Sequence, residues 1–572
     1  MALRAPLLIP AACFIVGLLC GFAGWAPTWA MALLLPGIIA FFFRRPVLGA
    51  YIIITAVGWC DASLQLPTPL PQRFVNGTHT VSGVVTRVSE TMEKGAVSLD
   101  VELDSIDGKP CRERKVALTV VSPHTEFSRA QRVEWHGQLE PIRRPPLPQM
   151  TDHSGPMRRR GVSATSLVRY PAIISITDEP GLLNDLQRVR RSLQQLLLRS
   201  NLDSESTAML NALLLGDTSW LDTERRTEYS AAGLSHILAL SGMHVALLFM
   251  LIESLLWPLY ITRYWQAADL VIIILLWLYA GITGLSPSVV RAVTMGSVFI
   301  IGRLIQRRSV PYNSLCLAAL VILVPSPTSL FTYSFQLSFT AVLAIITFAD
   351  KLNPVSRHDH PRIYAAVAYI TVSISAMLGA GVLSTFYFHT FPVYFIVSAT
   401  VASLLMPCIC GSGILVLLLS ACGLHSELLC RATEALVYAL DATSHGVASW
   451  PGATVRGIYM SQPELWICLM TVAAFGVWLH QRSRASLRAV GMCVVAWIVA
   501  SIIKPEPELR AVEAFDLPYK GEPVTLVRTG SKVTLFTTPS NRDTDLLRHR
   551  VSSDFEEYFL RTGVGEVEVR TR

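Results

Sequence analysis

Residues 363–384 read IYAAVAYITVSISAMLGAGVLS, a run without a charged side chain. At about 1.5 Å per residue, a helix of some 20 residues crosses the hydrocarbon core of a bilayer, and this run is long enough. Stretches of the same kind lie on both sides of it. Toward the C-terminus they are Pro392–Met406, Gly413–Cys422, Pro463–His480 and Leu487–Ile503. Toward the N-terminus they are Ser329–Phe348, Tyr312–Val324, Pro287–Ile305, Gln266–Gly281 and His236–Tyr260. Three more open the chain, at Leu7–Ala23, Pro27–Phe43 and Pro46–Cys60. The first lacks a small-residue cleavage site and runs straight into the second, so it reads as a retained helix and not a signal peptide.

Composition agrees. Of the 572 residues, 52% are hydrophobic and 16% charged, against roughly 25% charged in an average soluble chain. Mean hydropathy is +0.45. A soluble multidomain enzyme and a disordered chain are both excluded. The net charge of +7 suits anionic lipid, nucleic acid or cytoplasmic loops equally. The 11 cysteines form neither a zinc pattern nor a disulfide scaffold.

Five segments follow: N-terminal spans over 1–62, a β module over 76–178, a soluble helical segment over 181–232, a second membrane block over 233–503, and a short tail over 504–572. The β module shows alternating runs such as HTVSGVVTRV and KVALTVV, the pattern of a small barrel. Ser426–Ser449 reads as an amphipathic surface helix, and PVTLVRTGSKVTLFTT in the tail as two strands. The expected fold is thus a polytopic α-helical membrane protein with about 13 transmembrane helices, a β-barrel domain and a small soluble tail. Basic groups at Arg44-Arg45, Arg303 to Arg308, Lys351 to Arg362 and Arg482 to Arg488 all fall on one side if that side is the cytoplasm. The N-terminus is then inside, and the β module and tail are extracytoplasmic.

Four clusters place polar groups where the membrane makes them costly. The first is GLSHILALSGMHV at 233–245, with His236, Ser241 and His244. The second is GLSPSVVRAVTM at 284–295, with Arg291 about 6 Å below the Ser286-Pro287 helix start. The third is SFQLSFTAVLAI at 334–345, with Gln336, for which an interhelical hydrogen bond is the simplest use. The fourth is STFYFHTFPVYF at 384–395, with Tyr387 and His389 in an aromatic set. In the orientation above all four share the outer half of the membrane, with Gln336 about 10 Å and His244 about 12 Å deep. That is the outline of a channel mouth. The β module adds Trp135, Arg143, Arg144, Arg158, Arg159, Arg160, Arg169 and Tyr170, the basic and aromatic mixture with which small barrels hold single strands. The same arginines suit lipid headgroups. No P-loop and no metal cluster occurs, and His358-Asp359-His360 reads as a solvated turn. No catalytic residue, cofactor or metal is therefore expected.

These clusters, in this order and spacing, together with ALLLGDTSWLDTERRTEYSAAGLSHILALSGMHV at 212–245, resemble the ComEC family of bacterial competence proteins. The three helices followed by a β module are similar to the family's N-terminal OB-type domain. The resemblance covers about residues 1–500. It implies transport of single-stranded DNA across the cytoplasmic membrane. The expected partners are single-stranded DNA, membrane lipids and an extracytoplasmic DNA receptor; without a P-loop the pull comes from a cytoplasmic ATP-driven motor or from strand-binding proteins, and either a separate nuclease acts or the DNA arrives already single-stranded. Many members end in a metallo-β-lactamase-like domain; residues 504–572 are too few for one and read as its possible remnant. Alternatives from the residues themselves are a transporter of another polyanion or lipid-linked substrate, and an intramembrane hydrolase on Ser241 and His244.

Overall fold

The structure is a computed structural model and describes residues 6–64, 77–142, 154–502 and 512–571, with short breaks inside these ranges. Two compact units form, one of residues 1–142, 157–380 and 392–454, the other of 143–156, 381–391 and 455–572. Among the described residues, eight helices are long and apolar enough to cross a membrane, and four shorter apolar helices accompany them.

In the first unit, α1 (Leu8–Phe22), α2 (Pro27–Phe43) and α3 (Pro46–Leu64) follow the apolar runs. A seam of small residues brings α1 and α3 together, the usual device where lipid removes the hydrophobic drive between helices. A Cβ on Gly17 would lie 2.0 Å from Thr55 O, and one on Gly58 2.6 Å from Phe14 O. Gly17→Leu is expected to separate α1 from α3 and lower the amount of folded protein recovered from membranes. Unchanged recovery would remove the seam from the account.

The β module comprises β1 (Thr78–Glu90), β2 (Ala96–Ile106), β3 (Lys109–Pro110), β4 (Lys115–Val121), β5 (Gln131–Gln138), β6 (Glu140–Pro141), helix α4 (Ser154–Arg159), β7 (Val162–Arg169) and β8 (Ile173–Asp178). The sheet order is β6-β7-β4-β2-β1-β5-β8, with β3 on β2. Strand β1 pairs antiparallel with both β2 and β5, and β4 pairs parallel with β7. Gly83 sits at an irregularity in β1, where a Cβ would meet Glu102 O at 2.4 Å. Such a break curls a long strand enough to serve two neighbours. Val81, Leu99, Leu118 and Trp135 fill the core.

Next come α5 (Leu182–Arg199), α6 (Ser204–Leu210), a π-helical turn at Asn211–Leu215, α7 (Thr223–Ala231) and α8 (Ser235–Leu238). Asp203 caps α6 by accepting from Ser206 N, as its type and position predict. The membrane block continues with α9 (Gly242–Leu255), α10 (Trp257–Ile261), α11 (Trp265–Ile282), α12 (Pro287–Leu304), α13 (Pro311–Leu323), α14 (Tyr333–Leu352), α15 (Pro361–Phe388), α16 (Phe395–Ala421) and α17 (Glu427–Ala448). The expected span 236–260 is three pieces, because Ala239–Ser241 leave the helix and Ser241 starts a new one.

The largest departure is α16. Pro407 and the glycines at 411 and 413 suggest a break between two short spans, but the chain runs through them as one helix of 27 residues. Neighbouring helices tolerate a proline there, and Gly413 lets Leu210 and Leu214 pack against the helix backbone. Helix α17 then comes back along α16. Val393 N donates to Ala453 O at 2.9 Å and Tyr394 OH to Pro451 O at 3.1 Å, so the hairpin closes where it opened.

Helices α5 to α8 do not stand apart from this hairpin. Leu210, Leu213, Tyr229 and Ile237 share one core with Met406, Ile409, Val437 and Leu440. Polar ties hold α7 to α17: Arg225 bridges Glu205 and Asp441, Tyr229 OH donates to Asp441 at 2.7 Å, and His445 pairs with Glu228 at 2.8 Å. The Glu228 hydrogen bond raises the His445 pKa. A raised histidine value means that the pair stabilises fully below the ordinary value and loses its effect as pH rises through the new one. His445→Ala should therefore lower the melting temperature at about pH 5.5 and leave it unchanged at about pH 8.5. Equal losses at both would show that the ion pair is not what the ring contributes.

In the second unit, α18 (Gln462–Gln481) and α19 (Arg484–Ile502) form a helical hairpin. A sheet of Val512–Tyr519, Glu522–Thr529, Lys532–Thr537 and Glu566–Thr571 follows. Its first three strands are antiparallel and the last is parallel to the third.

Candidate functional site

The first polar cluster begins at Gly233, whose φ of 79° and close neighbours both require glycine. A Cβ there would meet Pro392 and Phe395 at 2.9 Å. Ser398 Oγ donates to Ala232 O at 2.6 Å. The start of the first motif thus packs on the end of the fourth. His236 is exposed, and its Nδ1 lies 3.1 Å from Gly233 O. Ser241 caps α9. Its backbone N–H donates to His244 Nδ1 at 3.1 Å, and its Oγ lies 3.0 Å from the same nitrogen. An N–H can only donate, so Nδ1 is the accepting nitrogen and the neutral ring carries its proton on Nε2. That Nε2 is buried without a partner, in a ring 4% exposed.

The second cluster is held from outside the helix bundle. After α11 the chain turns through Gly284 (φ 77°) and Leu285 (φ 51°) into Ser286 and Pro287. Arg129, between β4 and β5, donates through Nη1 to Gly284 O at 2.7 Å and Leu285 O at 2.8 Å. Gln187 of α5 donates to Gly281 O at 2.8 Å. The carbonyl end of α11 is thereby satisfied by a cation and an amide. Burial lowers the pKa of Arg129.

Arg291 lies just over a turn into α12. It is 6% exposed, its Nη1 donates to Ser334 Oγ at 3.0 Å, and its Nε has no partner. Among the described residues no carboxylate pairs with it. A Cβ on Gly242 would stand 3.9 Å from Ala292 Cβ, in ordinary contact. The N-terminal ends of α9, α12 and α14 therefore meet, and three of the four clusters come together. The Gln336 amide donates to Leu330 O at 3.0 Å, in the turn before its own helix.

A family model described as "Competence protein" matches residues 213–485. It begins at the π-helical turn and takes in all four clusters. Residues 213–485 are thus similar to the ComEC family of competence proteins. Two relatives match parts of the chain. "ComE operon protein 3" of Bacillus subtilis (strain 168) is 28% identical over 308 residues, which are 52% of this chain and 38% of that protein. An uncharacterised protein of Aquifex aeolicus (strain VF5) is 31% identical over 168 residues, 29% of this chain and 38% of its own length. The chain thus matches well under half of each relative. No solved structure matches it. The ComEC-family segment and its apolar helices make this a multi-pass membrane protein.

The fourth ComEC-family cluster falls mostly in the second unit. There His389 (φ 54°) exchanges two hydrogen bonds with Ile458, N–H to carbonyl at 3.0 Å and through its Nδ1 at 3.1 Å. Tyr387 packs edge-on to Phe386, centroids 5.3 Å apart.

The β module corrects part of the expected strand surface. Trp135 is fully buried, its indole N–H 3.3 Å from Ser166 Oγ, and offers no ring for stacking. Its apolar bulk at an inward position of β5 is the reason. Tyr170 is half-buried against the same core. Arg160 is drawn to Asp100 at 3.4 Å, and Arg158 donates to Ile142 O at 3.1 Å. Arg158 and Arg169 are exposed. Arg143, Arg144 and the Arg159 side chain lie outside the described residues.

Sequence reading also missed a charged knot at the other end of α12. Arg303 contacts Glu253 Oε1 at 2.6 Å, Tyr260 OH at 2.9 Å and both oxygens of Asp269, with Tyr260 OH donating to Asp269 at 2.5 Å. Asp269 is fully buried. It is the only charge between Gln266 and Gly281, which was the available signal; Arg303 had been read only as a basic loop residue.

Proposed function

We propose that the chain conducts single-stranded DNA across the cytoplasmic membrane during natural transformation. Arg291 carries the reading. A guanidinium buried in an apolar bundle without a carboxylate is costly, and a protein keeps it for an anion that arrives from elsewhere. The converging N-terminal ends of α9, α12 and α14 add their positive dipole ends at the same place. In this reading the N-terminus faces the cytoplasm and the β module and tail lie outside. The long β1 shared by two neighbours and the one parallel pair suit an OB-type barrel. Its exposed Arg158 and Arg169 meet the strand before it reaches the bundle. The driving force comes from a cytoplasmic ATP-driven motor, the strand is delivered by an extracytoplasmic receptor, and a separate nuclease prepares it.

The test is uptake of labelled DNA by a deletion strain and its parent, with periplasmic and cytoplasmic label scored separately. Label that stops short of the cytoplasm supports the reading; normal cytoplasmic arrival removes it. The intramembrane hydrolase is disfavoured because the Ser241–His244 contact is a helix cap and the ring's other nitrogen meets no acid. Ser241→Ala is therefore expected to cost about 1 kcal/mol of helix stability and to leave uptake in place. Uptake lost in Ser241→Ala and kept in Ser241→Cys would restore a nucleophile.

A further inference from the structure

We propose that Arg291 is a station for one backbone phosphodiester at a time, held by hydrogen-bond donors and blind to the base. The inference rests on the single-strand reading and concerns the chemistry of the same site. Three buried polar atoms in the first two clusters are without partners: Arg291 Nε, Ser286 Oγ and His244 Nε2. Arg291 and His244 are both more than nine-tenths buried. The cap on α9 fixes the tautomer of His244, so its unpartnered nitrogen is a donor. An arginine has donors only, and a serine hydroxyl can donate. A ligand that satisfies Arg291 Nε, and Ser286 Oγ or His244 Nε2 with it, brings acceptors and a negative charge.

A phosphodiester meets that description. It has acceptor oxygens, one negative charge and no donor. A base edge also offers acceptors, and guanine's O6/N7 edge offers only acceptors, but no base brings the negative charge that a buried guanidinium without a carboxylate calls for. Ser334 Oγ holds one arm of the guanidinium, which leaves the Nε edge for the ligand. One cation serves one phosphate, so each nucleotide that passes repeats the same contact. Lipid headgroups carry the same group, and the experiment must separate the two sources.

The full chain is placed in nanodiscs of phosphatidylcholine, and binding of a labelled oligothymidylate of about twenty residues is followed against salt. Arg291→Gln should weaken binding about tenfold or more and reduce the slope of log affinity against log salt by about 0.7, the value for one single-strand phosphate. Arg291→Lys should keep the slope. Ser286→Ala, which leaves the charge in place, should weaken binding several-fold at constant slope, and it serves if Arg291→Gln does not fold. Oligonucleotide binding that ignores both Arg291→Gln and Ser286→Ala overturns the station while the conduit stands. So does loss of bound phosphatidylglycerol in Arg291→Gln, read by native mass spectrometry, with oligonucleotide binding unchanged; the group would then hold a lipid. A wild-type protein that binds no oligonucleotide overturns the conduit reading as well.

Discussion

Arg291→Leu should make the protein at least as stable as the parent while cutting DNA import between about tenfold and a hundredfold. The two effects have opposite signs for one reason. The guanidinium is 6% exposed, its Nε is unpartnered and no carboxylate among the described residues faces it. Taking such a charge out of water costs several kcal/mol, so an apolar side chain of similar bulk relieves the fold. An arginine kept for packing or for a buried pair would behave in reverse, with stability lost first. Transformation frequency, protein level in membranes and melting temperature, measured on the same variant, decide it. A destabilised protein with normal import would place Arg291 among structural residues.

Arg303→Leu is expected to do the opposite. It strips the counter-charge from Asp269, which is fully buried, and leaves Glu253 facing it across the same knot. Breaking one partner of a buried pair costs about 3–5 kcal/mol, because the other charge stays behind without compensation. Much of a domain's stability is of that size, so little folded protein should accumulate. Replacing both partners should recover most of it: the Arg303→Leu, Asp269→Leu double variant removes the stranded charge, and Glu253 is one-third exposed and can turn to water. Failure of the double variant to accumulate would mean that the knot positions α9, α11 and α12 by geometry and not by charge balance. The contrast between Arg291 and Arg303, twelve residues apart on one helix, separates a charge kept for a visitor from a charge kept for the fold.

Much of the fold was legible in the chain because bilayer thickness sets a length that sequence can be measured against. The helix at 287–304 begins at Pro287 and ends near Arg303, as proline at the first helical position and a basic last turn suggest. Proline and glycine misled at 407–413, where they were read as a stop. Their usual effect depends on water or strain at the freed backbone, and both are relieved when Leu210 and Leu214 fill the space beside the helix. The site was legible in type and not in arrangement. A polar residue in an apolar run announces itself, so Arg291 and His244 stand out as candidates from the sequence alone. Which polar groups satisfy each other is a property of three dimensions. The Ser241 cap fixed the His244 ring, and Ser334 reached Arg291 from another helix. Trp135 failed for a related reason, since alternation along β5 gives two faces and only the folded sheet says which is inward.

The joined ends of the α16–α17 hairpin carry a topological consequence. Because Val393 and Ala453 are hydrogen-bonded neighbours, everything between them is a closed excursion that returns the chain to its point of departure. However deep the excursion reaches, it contributes an even number of crossings, so α18 and α19 keep the polarity they would have if residues 394–452 were absent. Cutting the loop out whole leaves the remainder of the chain facing the way it did.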